Sequence, residues 1–139
     1  MKYLERLITD LRGPDPETHR RAEDALVEIG APRALGPLMT ALRDADIGVH
    51  NHAETALGRI GAPAVKPLIG ALRDPDGDVQ WRAGLALTQI GTPAVEALLD
   101  ALRDADPEVR ACAADVLGDI ESPRIVEALL DPSPCILLP

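Results

Sequence analysis

Two histidines, His50 and His52, stand two residues apart in HNHAETALGRI and invite comparison with a metal-binding pair. On a helix that spacing turns the two side chains about 200° away from each other, so they do not share one ion. His19 and His50 occupy matching places in neighbouring segments, but no third ligand accompanies them, and a hydrogen bond between the segments is the simpler expectation. The run DPDGDV from Asp74 resembles the start of a calcium loop. Val79 stands where such a loop needs its glycine, and Leu85 where it needs its closing glutamate, so the run reads as a turn and a helix cap. Asp115 and Asp119 are one helical turn apart, as an acid–base pair would be, yet exposed carboxylates on a solvated helix face have the same spacing. Cys112 lies beside Asp115, whose charge discourages thiolate formation, and no histidine is positioned to activate it. No serine elbow and no phosphate-cradling glycine loop occur. The residues therefore predict no catalytic group, no metal site and no cofactor, and the chain reads as a non-enzyme.

Recognition is better represented. DVQWRAGLAL, from Asp78, carries the single tryptophan of a 139-residue chain that has no phenylalanine and one tyrosine. A core so poor in aromatics must be closed by small side chains, which suits packed helices better than a β-sandwich. The formal net charge of −9 argues against general attraction to nucleic acid or to an anionic membrane. Arginines beside a tryptophan could stack bases and hold phosphate, but the overall charge weighs against that reading. Two cysteines, Cys112 and Cys135, form neither a disulfide framework nor a zinc motif, which points to a reduced, cytoplasmic chain. The charged, amphipathic N-terminal stretch has no apolar signal-peptide core, and no apolar run approaches the ~20 residues that cross a bilayer.

Four segments align without gaps, starting at Leu11, Leu42, Leu72 and Leu102. Each opens with Leu-Arg, has an aspartate four places on, and closes with Leu, Ile and Pro. Such a period marks stacked supersecondary units. Each unit reads as two helices. The second begins at a capping aspartate (Asp15, Asp46, Asp76 or Asp106) and three of them end at a glycine, Gly30, Gly61 or Gly91. Pro32, Pro63, Pro93 and Pro123 then open the next helix, and Pro37 and Pro67 fall about one turn inside theirs, where a bend or a lost hydrogen bond is expected. The expected helices span about 2–12, 16–29, 33–43, 47–60, 64–73, 77–90, 94–103, 107–120 and 124–131. Gly58, Gly84 and Gly118 interrupt second helices, where close approach between stacked helices would explain them. The fold expected is all-α: an α-solenoid of about four stacked two-helix repeats over residues 1–131, with a terminal half-repeat and an apolar tail at 132–139.

The pattern in LRDADPEVRACAADVLGDI, the fourth unit, resembles the HEAT-like repeat of the phycobilisome lyase family, and the resemblance covers about residues 2–131. It implies an α-solenoid whose second helices line a concave surface. It also implies, as an alternative to a protein-binding role, an accessory subunit of a bilin (tetrapyrrole chromophore) lyase. The family's arginine after the valine is kept only as Arg110; His19, His50 and Gln80 replace it, which breaks the expected Asp–Arg ladder between repeats.

Rotation at about 100° per residue decides where Trp81 points. Val79, Ala83, Ala86, Leu87 and Ile90 gather on one face of their helix as the buried stripe, and Trp81 falls opposite, with Arg82, Leu85 and Gln89 beside it. The matching strip in the other units holds Arg20, Arg21, Asp24 and Glu28, then Asn51, His52, Thr55 and Arg59, then Ala111, Cys112, Asp115 and Asp119. The expected function is a protein- or peptide-binding scaffold using this strip, centred on Trp81, with arginines gathered around it. Packing of Trp81 onto a neighbouring repeat, or onto a second copy of the chain, is the other reading.

Overall fold

A computed structural model describes residues 2–120, the side chain of Lys2 excepted. The expected half-repeat at 124–131 and the tail at 132–139 lie outside the described residues, as do Glu121 and Pro123. Within them the chain is all-helical: α1 (Lys2–Asp10), α2 (Pro16–Ile29), α3 (Leu35–Leu42), α4 (Ile47–Ile60), α5 (Val65–Ala71), α6 (Gly77–Ile90), α7 (Val95–Ala101) and α8 (Pro107–Asp119). They stack as hairpins into an α-solenoid.

The second helix of each unit starts and stops where its chemistry directs. Asp15, Asp76 and Asp106 accept the amide two residues on, at 2.9–3.0 Å, and Asp46 accepts that of Val49 at 3.2 Å. Gly30, Gly61 and Gly91 end α2, α4 and α6 at φ 60, 82 and 73°. Their ψ values lie between −133 and −155°, the mirror image of the β region, which a side chain excludes more strictly than the left-handed helical region. The first helices are shorter than the periodicity suggests. Ala62–Ala64 and Thr92–Ala94 tighten into 3-10 turns, and the Leu-Arg-Asp exits close with bonds to the carbonyl three residues back, as Asp74 does to Ala71 at 3.1 Å. This start also means that neither inner proline costs an α-helical hydrogen bond. Pro37 and Pro67 become the third residues of α3 and α5, in a first turn whose amides have no partner within the α-helix.

One core runs the length of the stack, and the same places fill it in each unit. Leu26, Leu57 and Leu87 from the second helices and Leu38, Leu68 and Leu98 from the first are fully buried. The second helices pack along their lengths, α2 on α4, α4 on α6 and α6 on α8, whereas the shorter first helices touch less. Two helix glycines leave space for side chains rather than for backbone: a Cβ on Gly58 would meet the Gln89 side chain at 2.6 Å, and one on Gly84 would meet Val116 at 3.3 Å. A Cβ on Gly118 would meet nothing within 4 Å among the described residues, so close approach does not account for it.

The expected break in the Asp–Arg ladder does not occur. A different arginine makes the rungs: Arg12 binds Asp44, Arg43 binds Asp74 and Arg73 binds Asp104, each joining one unit's Leu-Arg to the next unit's Leu-Arg-Asp. Each aspartate also accepts an amide of its own loop, from Asp46, Asp76 or Asp106, at 2.8–2.9 Å. Arg12 first, then the Asp46 amide, holds the Asp44 carboxyl below its ordinary range; for Asp74 the Asp76 amide leads and Arg43 follows. The variable residue after the valine has a separate role within its own unit. His50, Gln80 and Arg110 each donate to the carbonyl six residues back at 2.7–2.8 Å, and His19 meets that of Gly13 in the same way. His19 and His50 therefore do not bond each other; the ring beside His19 is that of His52, 5.1 Å away edge-on.

A pH effect follows from one buried acid. Burial pushes the Glu54 carboxyl above its ordinary value of 4.5, against the opposing charges of His50 and Arg82. A carboxyl with a raised folded-state pKa contributes its stability fully below the ordinary value and loses it as pH rises through the folded one. Glu54→Gln is therefore expected to stabilise the chain at neutral pH, with the gain vanishing near pH 4.5. Below that, protonation of Asp15, Asp44 and Asp74, whose carboxyls are all lowered, destabilises both proteins alike. Denaturant midpoints across pH check both limbs.

Candidate functional site

Helix α6 is held by both ends and one face. Asp76 caps its start and Gly91 its end, while Val79, Ala83, Ala86, Leu87 and Ile90 lie in the core. Trp81 cannot join them, and its indole stands 69% exposed. Gln80 fixes α6 against α8, donating to the Asp74 carbonyl at 2.7 Å and to Glu108 at 2.9 Å.

Between α6 and α8 runs an open groove of about 180 Å³. Gly77, Gln80, Trp81, Gly84, Leu85 and Thr88 form the α6 wall; Cys112, Asp115, Val116 and Asp119 form the α8 wall. Small residues make the space. Gly77 and Gly84 flank Trp81 at one-turn spacing, and the Thr88 hydroxyl turns back to donate to the Gly84 carbonyl at 2.9 Å. Gln80, Gly77, Gly84 and Thr88 were missing from the sequence-derived strip. The signal for them was present: Gly77, Trp81, Gly84, Leu85 and Thr88 follow i, i+4, i+7, i+8, i+11 along one stripe.

Of the sixteen strip residues, the groove gathers Trp81 and Leu85 with Cys112, Asp115 and Asp119 of the fourth unit. The arginines do not gather around the indole, because each has a partner elsewhere. Arg82 donates to the Leu42 carbonyl at 2.9 Å, at the C-terminus of α3, where a helix dipole favours a cation. Arg59 binds Glu23 at 2.8 Å and Asp24 at 2.7 Å, and His52 meets Glu23 at 2.7 Å. Arg20 and Arg21 both turn to Glu17, at 4.0 and 3.0 Å. Gln89 covers Gly58, and Asn51 offers its carbonyl to Thr55 at 3.1 Å while its side chain stays exposed. The Trp81 flank is thus apolar and acidic.

Burial first, then the charges of Asp115, Glu108 and Asp106, pushes the Cys112 thiol up from its ordinary 9.0. Alkylation of Cys112 at neutral pH, in a Cys135→Ser chain, is expected to run several-fold slower than that of a free cysteine peptide, since only thiolate reacts. A rate equal to the peptide's contradicts this environment. Among the described residues no three His, Cys, Asp or Glu side chains are arranged to hold a metal ion, and no helix is long and apolar enough to cross a membrane.

The model of the HEAT repeats family matches residues 4–76 and 65–132. Among solved structures, the complex of CpcE and CpcF of phycocyanin lyase from Nostoc sp. PCC7120 is 23% identical, over 96% of this chain and 92% of that one, with a TM-score of 0.49. A designed armadillo repeat protein is 22% identical, over 96% of this chain and 77% of that one, with a TM-score of 0.39. No curated protein matches the sequence.

Proposed function

The chain belongs to the HEAT repeat family, and from that premise we propose that it is a non-enzymatic binding module whose partner is a protein or peptide seated in the α6–α8 groove. One observation carries this reading: the single tryptophan, held 69% exposed on the wall of an open groove, beside Leu85. Burying an indole of this size is costly to forgo, and exposed tryptophans rimmed by polar groups are typical anchors of interfaces. The groove is a shallow trench, suited to an extended segment or a helix edge. Its rigidity comes from the solenoid and from the Gln80 clamp, so a partner meets a preformed surface.

The alternative, an accessory subunit of a bilin lyase, finds less support in this groove. Its volume of about 180 Å³ is below the ~300–1,000 Å³ common for small-molecule sites. Asp115 and Asp119 would also repel a tetrapyrrole's propionates. Quenching of Trp81 emission by an added bilin would favour it.

Panning a random peptide library on the immobilised chain, with Trp81→Ala as counter-target, tests the proposal. Sequences that enrich on the wild type and not on the variant support it. Sequences that enrich equally on both move the site elsewhere.

A further inference from the structure

Resting on that reading, we infer that the groove selects a partner presenting an arginine side chain next to an apolar residue. The two walls are chemically unlike. On α6 the Trp81 indole offers an exposed π face; on α8 Asp115 and Asp119, both exposed and one turn apart, project carboxylates along the same side. Among the described residues no basic side chain pairs with either carboxylate.

Among the described residues, Arg82, Arg73 and Arg110 are committed elsewhere. Arg82 is bonded to the Leu42 carbonyl, Arg73 to Asp104, and Arg110 to the carbonyls of Asp104 and Ala105. Arg59 serves Glu23 and Asp24, on the far side of α4 from α6. The negative field reaches the groove floor, where it adds to burial in raising the Cys112 thiol. A chain of net charge −9 adds a long-range attraction for a basic partner.

Of the basic side chains, arginine fits both walls together. Its planar guanidinium stacks on an indole and can donate to carboxylates along its edge, whereas an ammonium does one or the other less well. Leu85 and Val116, lining the same groove, are the contact for the apolar neighbour.

The test uses the full chain and three short capped peptides: one with arginine flanked by leucines, one with citrulline in its place, and one with glutamate. Trp81 emission follows binding to the wild type and to Asp115→Asn/Asp119→Asn, and calorimetry follows binding to Trp81→Ala. The expected result is arginine tighter than citrulline by about tenfold, the combined effect of an exposed cation–π contact and exposed ion pairs. That margin shrinks with added salt and narrows in the double asparagine variant, where only the cation–π contact to Trp81 still favours arginine. Citrulline binding as tightly as arginine, or a margin undiminished in the double variant, overturns the inference. If all three peptides bind equally and Trp81→Ala abolishes binding, the docking groove stands and only its charge selectivity fails. If none of them perturbs Trp81, both fail.

Discussion

Leu57→Ala is expected to destabilise the chain by about 2–5 kcal/mol, the range for emptying a leucine site in a closed core. Leu57 is 0% exposed, and its helix α4 packs against α2, α3 and α6. Total stabilities of small domains run to about 5–15 kcal/mol, so the loss is a large share. Its consequence should go beyond a lower midpoint. A solenoid holds together through contacts between adjacent units only, and Leu57 sits in the second of four. Weakening that unit uncouples the first from the third. Far-UV circular dichroism reports all the helices, while the one tryptophan reports the third unit alone. The two denaturation curves should coincide in the wild type and separate in Leu57→Ala. A loss below about 1 kcal/mol would mean that the neighbouring helices collapse into the vacated space.

Trp81→Ala is expected to do the reverse: little to stability and much to binding. With its indole mostly in water, removal should change the denaturation midpoint by no more than about 0.5 kcal/mol, the usual range for surface positions. Affinity for a groove-bound peptide should fall by about thirtyfold or more, the signature of an interface anchor worth at least ~2 kcal/mol. Calorimetric titration of both proteins with one peptide, alongside their unfolding curves, measures the two effects. A marked stability loss would show that the indole packs on the solenoid; an unchanged affinity would remove it from the site.

Much of this architecture is written in the sequence, because its signals are local. Asp76 followed by a helix, Gly91 ending it, and Val79, Ala83 and Ile90 on one face are each decided by neighbours within a few residues. The same rotation set Trp81 outside the core. It could not say which adjacent helix lay on each flank. Arg82 and Gln89 turn towards α3 and α4, while Gly77, Gly84 and Thr88 open towards α8. The arginines misled for a related reason: a long side chain takes the nearest carbonyl or carboxylate, and partners such as Leu42 and Glu23 lie 40 and 36 residues away. The ladder was misjudged in the same way. Arg110, one turn into its helix, reaches its own loop, whereas Arg12, Arg43 and Arg73 at the hairpin exits reach the next unit.

The central claim is that the one indole stands in water on the wall of a preformed groove, and the fluorescence of the unliganded, native chain measures this directly. A solvent-facing Trp81 gives red-shifted emission, close to that of the unfolded chain, and free quenching by acrylamide. Blue-shifted emission that acrylamide barely quenches would contradict it, and with it the groove as a site of recognition.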